Sequence, residues 1–80
     1  MPTIQHILGP HRFFFYSFDC NEPRHVHVRR DRMLCKFWLA PVSLSRNHGF
    51  SAKELNLIRK TIQENLPRIE EAWHEHCGSA

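Results

Sequence analysis

Hydrophobic and polar positions follow two different periods along the chain, and the change falls near residue 50. Over residues 1–50, short apolar or aromatic runs alternate with turn-forming residues, which is typical of strands. From residue 51 onward, apolar residues recur every three or four positions, which is the period of an amphipathic helix. The pattern predicts a single domain over residues 1–80, β-rich over 1–50 and helical over 51–78.

Four segments of the β-rich part have the composition of strands. Residues 25–29 and 33–40 flank a charged pair, and we expect them to form an antiparallel hairpin. Residues 3–8 end at a Gly-Pro turn signal, and residues 13–18 are dense in aromatic side chains. Residues 41–49 are interpreted as a connecting loop with a brief strand near its start.

Alternation along the hairpin predicts which side chains face the core. Successive strand residues point to opposite faces, so Val26 and Val28 share one face (the valine face), and His25, His27 and Arg29 share the other (the histidine face). If Arg29 pairs with Arg32, the valine face also receives Met33, Cys35, Phe37 and Leu39, and the histidine face receives Lys36 and Trp38. We assign the valine face to the core.

The aromatic run is apolar on both of its faces. Phe13 and Phe15 point to one side of the predicted strand, whereas Phe14, Tyr16 and Phe18 point to the other. Such a strand needs a cover on each side, and a single helix supplies only one. We therefore expect a homo-oligomer in which another chain covers the second side, with an interface formed by Phe14, Tyr16, Phe18 and Trp38.

The helical part begins with a capping box at residues 51–54, in which Ser51 accepts from the Glu54 amide and the Glu54 carboxylate returns to the Ser51 amide. The apolar stripe that follows consists of Leu55, Ile58, Ile62, Leu66, Ile69 and Trp73. Pro67 leaves two interpretations: one long helix kinked near this residue, which we favour, or two helices with Asn65 capping the second. The predicted fold class is α+β, a small antiparallel sheet of three to five strands with this helix packed on one face.

Length and composition narrow the class of protein. The chain has 80 residues, three cysteines and a net charge of +3. No apolar run approaches the ~18–20 residues of a membrane span, and the N-terminus lacks the features of a signal peptide, so we expect a cytoplasmic protein with no membrane partner. The cysteines are odd in number and widely spaced, so we expect neither a disulfide framework nor a Cys-only zinc site.

Basic residues concentrate in and around the predicted hairpin. They are Arg24, Arg29, Arg30, Arg32 and Lys36. Such a cluster binds phosphates or an acidic partner, or it is a solvated hairpin tip. The candidate binding residues are Arg29, Arg30, Arg32 and Lys36, and nucleic acid is one of the partners that they would suit.

His25 and His27 are the candidate catalytic residues. Two residues apart on a strand, they project side by side and could act as general base and general acid. With Arg29 or Lys36 stabilising phosphoryl charge, they would form the active site of a metal-independent ribonuclease. The structural alternative is that the two rings bond to turn backbone or line an interface. The neighbouring candidates for metal ligands are His11, Asp19, Cys20 and Glu22. No spacing matches a recognised zinc ligand set, so neither a metal nor another cofactor is predicted.

Short segments along the whole chain resemble one bacterial family. They are Met-Pro-Thr-Ile at residues 1–4, Arg-Phe-Phe-Phe-Tyr-Ser at 12–17, Asn-Glu-Pro at 21–23, His-Val-His-Val at 25–28, Lys-Phe-Trp-Leu-Ala-Pro-Val at 36–42, Asn-His-Gly-Phe-Ser at 47–51 and Glu-Ala-Trp-His-Glu at 71–75. In this order they are similar to the domain of unknown function 4160 family. The resemblance implies a small α+β protein, encoded beside a second short gene of the domain of unknown function 2442 kind, in pairs that look like toxin–antitoxin modules.

Together these observations favour an interaction module over an enzyme. We expect an oligomeric protein of a two-gene, toxin–antitoxin-like system that binds a small cognate protein partner. The alternatives are a metal-independent ribonuclease that uses His25 and His27, and a nucleic-acid-binding module that uses the basic hairpin.

Overall fold

The computed structural model describes residues 3–5, 7 and 9–78. In chain order, its elements are β1 (Arg12–Phe14), a 3-10 helix (Asp19–Asn21), β2 (His25–Arg30), β3 (Met33–Leu39), β4 (Val42–His48), α1 (Ala52–Glu64) and α2 (Leu66–Cys77). The strands form one antiparallel sheet in the order β1-β2-β3-β4. The predicted α+β class, with a small antiparallel sheet followed by a helical part, is confirmed.

The β2–β3 hairpin places its side chains on the predicted faces, although its register differs from the expected one. Arg29 pairs with Leu34 and not with Arg32. The difference amounts to two residues, and strand side chains repeat with that same period, so no side chain changes face. Asp31 lies in the turn with a φ of +55°, a conformation that Asp adopts more readily than most residues.

The valine face packs against both helices and forms the core. Val26 and Val28 are fully buried there, as are Ile58 and Ile62 of α1 and Ile69 of α2. The apolar stripe of the helical part therefore faces the sheet at these positions, and its burial is the main source of stability in the described chain.

Residues 41–49, expected to be mainly a connecting loop, instead form a long fourth strand. β4 pairs with β3, and the register shifts between Lys36 and Phe37, where the ladder has an irregularity. Most of β4 is exposed or only half-buried. An edge strand buries few side chains, so its polar sequence carried little of the apolar alternation by which strands are recognised.

Two predicted N-terminal strands are shorter than expected. The aromatic run is a strand only over Arg12–Phe14, after which the chain leaves the sheet. In the segment predicted as a strand over 3–8, residues 6 and 8 lie outside those described, and Thr3 forms a single bridge with Phe14. The early departure from the sheet frees the next residues to cross the histidine face.

The helical part consists of two helices, so the favoured single kinked helix is wrong. Asn65 separates them, with φ −116° and ψ 17°, and its N–H donates to the carbonyls of Thr61 and Ile62. Pro67 lies in the first turn of α2, where its missing N–H removes no helical hydrogen bond. Neither helix of the described chain combines the length and the apolar character needed to cross a membrane.

Ser51 caps α1 as predicted, and its hydroxyl accepts from the Glu54 N–H at 3.2 Å. The Glu54 carboxylate, expected to return to Ser51, instead accepts two bonds from Arg30 at 2.6 and 2.7 Å and one from His11 at 2.8 Å. These bonds, led by those from Arg30, lower the pKa of Glu54 to about 2. A bidentate, charge-assisted pair is stronger than a bond to a neutral amide, which explains the different partner.

Candidate functional site

The chain between β1 and β2 folds back over the histidine face and brings Asp19 to His25 and His27. The Tyr16 N–H donates to Asp19 Oδ2 at 2.7 Å, and the Asp19 N–H donates to the Tyr16 carbonyl at 3.2 Å. This reciprocal pair closes a tight turn that leads into the 3-10 helix. Asp19 is consequently only 3% exposed.

The three side chains form a compact group, which we call the Asp-His-His cluster (Asp19, His25 and His27). The Nε2 atom of His25 lies 3.2 Å from Asp19 Oδ1, and the Nε2 atom of His27 lies 3.0 Å from Asp19 Oδ2. His25 is fully buried and His27 is 9% exposed. Despite the short distances, neither Nε2 atom has a hydrogen bond of acceptable geometry within the part of the chain that the structure describes.

A hydrogen bond at the other ring nitrogen of His25 determines where its proton lies. Nδ1 is 2.8 Å from the Pro23 carbonyl oxygen, and because a carbonyl can only accept, Nδ1 must donate. In the neutral imidazole, Nε2 then carries a lone pair. This lone pair faces a carboxylate oxygen of Asp19, so the contact is favourable only with a proton or a cation between the two atoms.

Burial and hydrogen bonding shift the pKa values of the cluster. Burial lowers the pKa of His27 below 6.5, because it disfavours the charged ring, and the nearby Asp19 offsets only part of this effect. Burial alone would raise the pKa of Asp19, but the Tyr16 N–H and the two histidines outweigh it and hold that pKa below 3.8. Both pKa shifts favour a neutral His27 beside an ionised Asp19 at neutral pH.

Aromatic rings enclose the cluster. The centroid of the His27 ring lies 4.6 Å from that of Tyr16 and 5.5 Å from that of Phe14. The His25 ring lies 5.3 Å from Trp73 of α2. Because of this enclosure a macromolecular substrate does not reach the His25 ring in this conformation, which weighs against the paired acid and base of a ribonuclease.

An open cleft of about 610 Å³ lies beside the cluster. Asp19 and His27 line it, whereas His25 does not. The rings of Tyr16 and Phe18 stand at its edge, with centroids 6.1 Å apart and planes 9° apart. On the β4 side, the exposed Arg46 lines the cleft. The cleft thus combines aromatic surface, positive charge and one imidazole of the cluster.

The four residues predicted to form an interface have different environments. Phe18 is 71% exposed and Phe14 is 1% exposed, while Tyr16 and Trp38 are half-buried. Residues of the same chain already cover Phe14. Phe14 therefore needs no second chain to cover it.

The four predicted binding residues do not form one patch. Arg30 points to the helical side and pairs with Glu54, which raises the pKa of Arg30. Lys36 lies over the histidine face and pairs with Glu22, which lowers the pKa of Glu22. The residues that remain exposed are Arg29 and Arg32.

Sequence reasoning brought His25 and His27 together but did not single out Asp19 among their neighbours. Its position three residues after Tyr16, at the start of a turn-forming segment, was the available signal. That signal indicates a turn, whereas the direction in which the turn carries the carboxylate depends on how residues 15–22 cross the sheet.

Cys20 and Cys77 form a disulfide, although the odd number and wide spacing of the cysteines argued against a disulfide framework. The bond links the 3-10 helix to the end of α2, and beside it His76 Nε2–H donates to the Tyr16 carbonyl at 2.9 Å. The two cysteines are 57 positions apart, so no local spacing in the sequence predicts that they pair. Cys35 is free and buried in the core.

The family model described as Domain of unknown function (DUF4160) matches residues 11–74. The match covers most of the chain, including β1 to β4, the Asp-His-His cluster and both helices up to His74. No curated protein and no solved structure matches the chain. The family match agrees with the one expected from the short segments. The chain therefore belongs to the domain of unknown function 4160 family.

Proposed function

We propose that the protein is an interaction module of a two-gene, toxin–antitoxin-like system, and that it binds a strand of a small acidic partner protein along β4. The observation that carries this proposal is the free edge of the sheet. β4 pairs with β3 on one side, and no other strand of the described residues pairs with it.

The two edges of the sheet differ in how far they are available. β1 has three residues, and Thr3 forms a bridge with one of them, so its outer edge is partly covered. β4 has seven residues, contains no proline and is mostly exposed or half-buried. An edge of this length offers a row of backbone N–H and C=O groups to which an extended segment of another protein can add.

The side chains along β4 favour an acidic partner. Leu44 is 37% exposed and supplies an apolar contact. Arg46 and His48 are exposed nearby, and the whole chain carries a net charge of +3. A second copy of the chain would bring the same positive charge to this edge, whereas an acidic protein complements it. The family resemblance, with its expected pairs of short genes, supports a small cognate partner.

The test is binding of the small partner protein that the proposal expects a neighbouring gene to encode, measured by calorimetry with both purified proteins. We expect Arg46→Glu to weaken binding by about tenfold or more, because it places a negative charge against an acidic strand. Lys60→Glu is the matched control: it makes the same charge change at an exposed position of α1 and should leave the affinity unchanged.

Two outcomes would overturn the proposal. Equal affinities for wild type, Arg46→Glu and Lys60→Glu would show that β4 does not contribute to binding. Concentration-dependent dimerisation of the wild type in sedimentation, abolished by Arg46→Glu, would assign the edge to a second copy. Hydrogen exchange gives an independent readout, since strand addition protects the amides of β4.

Nucleic-acid binding is a second candidate, and the parallel rings of Tyr16 and Phe18 favour it. They flank a cleft that also contains Arg46, and Phe18 is 71% exposed while Tyr16 is half-buried. Aromatic rings beside a cation suit the bases and phosphates of a single strand. We expect fluorescence anisotropy with a single-stranded RNA to show an affinity that falls steeply with salt and is lost in Phe18→Ala. Leu57→Ala, at another exposed apolar residue (55%), is the control. A salt-independent affinity would refute this candidate.

A further inference from the structure

We propose that Asp19, His25 and His27 bind a divalent first-row transition metal ion, with Zn²⁺ as the best-suited member of the class. The inference does not depend on the proposed partner or on nucleic-acid binding. It rests on the geometry of the Asp-His-His cluster, on its unpaired buried nitrogens and on the hydrogen bonds behind the ligand atoms.

The distances within the cluster fit a common ion. One ligand atom from each of the three residues lies within 4.8 Å of the others, and the two Nε2–carboxylate distances are 3.2 and 3.0 Å. Ligand atoms bound at ~2.1 Å from one ion lie roughly 3.0–3.4 Å from each other in octahedral or tetrahedral geometry. Both Nε2–carboxylate distances fit that range, and the two Nε2 atoms, which lie within 4.8 Å of each other, would have to close on the common ion.

A cation would also resolve an unfavourable contact. Nδ1 of His25 donates to Pro23, so in the neutral ring Nε2 presents a lone pair to Asp19 Oδ1, and two acceptors face each other in a buried place. Neither Nε2 atom of the cluster has a hydrogen-bond partner among the described residues. Buried polar atoms without partners are rare and costly, and a metal ion supplies both nitrogens and the carboxylate with one partner.

The hydrogen bonds behind the cluster are those that support metal ligands in other proteins. A metal-binding histidine commonly donates its second ring nitrogen to a backbone carbonyl, as His25 does to Pro23 at 2.8 Å. Ligating carboxylates are themselves hydrogen-bonded, as Asp19 is by the Tyr16 N–H at 2.7 Å. Both histidines lie on one strand, so their spacing is fixed by the sheet.

The ligand types determine the class of ion. Two imidazoles and one carboxylate suit zinc, iron, cobalt or nickel better than magnesium or calcium, which prefer all-oxygen sites. Three protein ligands leave at least one coordination position free, and Asp19 and His27 both line the open cleft. A bound ion would therefore be reachable from the cleft by water or by a small anionic group.

A second group of potential ligands sets the conditions of the test. Cys20, Cys77 and His76 also lie close together, but the two cysteines are joined by the disulfide. Titrations are therefore made with the oxidised full chain after treatment with a chelator. Cobalt separates the two sites, because thiolate coordination produces intense charge-transfer absorption that a site of nitrogen and oxygen ligands does not.

We expect calorimetry with Zn²⁺ and visible absorption with Co²⁺ to show one ion per chain without thiolate bands. Asp19→Asn keeps the size of the side chain and an oxygen that accepts from the Tyr16 N–H. It should weaken Zn²⁺ binding by at least about 100-fold, which is more than the loss of a hydrogen bond that only supports a metal ligand would cause. His74→Ala removes an exposed histidine outside both the cluster and the cleft, and it should bind as the wild type does.

Nuclear magnetic resonance of the wild type keeps the test independent of whether the variants fold. Zn²⁺ should shift the Nε2 resonances of His25 and His27 and leave that of His74 in place. Failure of the folded wild type to bind either ion would overturn the inference. Equal Zn²⁺ affinity in folded Asp19→Asn and wild type would do the same, because it would place the ion elsewhere. Loss of partner binding in Arg46→Glu with unchanged Zn²⁺ affinity keeps the two proposals separate.

Discussion

Reduction of the Cys20–Cys77 disulfide should strongly destabilise the protein. The bond joins the 3-10 helix, which carries Asp19, to the last residue of α2. It closes a loop with a sequence separation of 57. Removing it gives the unfolded chain more conformational freedom and leaves the folded core otherwise unchanged.

The loop length determines the expected magnitude. Closure of a loop of this size restricts the unfolded chain by about 4 kcal/mol in the chain-entropy model. In a domain of this size each 1 kcal/mol moves the melting temperature by about 4–8 °C, so reduction should lower it by roughly 15–30 °C. Small domains have total stabilities of about 5–15 kcal/mol, so the loss is a large part of the whole.

Calorimetric melting of oxidised and reduced wild type, beside a Cys20→Ser/Cys77→Ser variant, measures the effect. The variant should have the same melting temperature as the reduced protein, and reductant should not change it. Burial raises the pKa of the Cys35 thiol to about 12, so in the folded oxidised protein this cysteine should not react with a thiol reagent. Equal melting temperatures before and after reduction, with two new reactive thiols, would refute the reasoning.

Two further predictions concern the core and the salt bridge between sheet and helix. Ile62→Ala, at a fully buried position of α1, should lower the free energy of unfolding by about 2–5 kcal/mol in urea denaturation; a change below that range would mean that the site collapses around the cavity. The pKa of Glu54 is depressed to about 2 from 4.5, so its bonds to Arg30 and His11 contribute full stability above pH 4.5 and lose it as the pH falls towards 2. In that window the stability of Glu54→Gln should converge with that of the wild type, and a constant difference would contradict the assignment.

Local patterns were sufficient wherever a single period or a short motif decides the structure. Strand alternation placed Val26 and Val28 in the core and His25 and His27 together on the opposite face, even with the wrong register, because a slip of two residues preserves the faces. The Ser51 cap was equally local, since its donor lies three residues away. The family could be recognised in the same way, from segments in a fixed order.

Local patterns failed where two structures have similar local energies. An amphipathic stripe keeps its phase through either a kink or a break, so the period could not separate the two. The structure has the break at Asn65, with buried apolar residues in each helix. β4 was underestimated because all of its residues are exposed or half-buried, so it has no buried apolar row to alternate with a polar one. The Glu54 carboxylate accepts from Arg30, which is distant in sequence and adjacent in space, and not from the expected local partner, the Ser51 amide.

The sequence by itself determined that a β-rich part precedes a helical part, which face of the hairpin enters the core, and that two imidazoles lie on one strand, because these features depend on periods of two and of three to four residues. The tertiary structure decided the rest of the candidate site. Asp19 reaches the histidines only because residues 15–22 cross the sheet, and Cys20 meets Cys77 only because α2 ends beside that crossing. Contacts between residues so far apart along the chain depend on packing in three dimensions, and no local period encodes them.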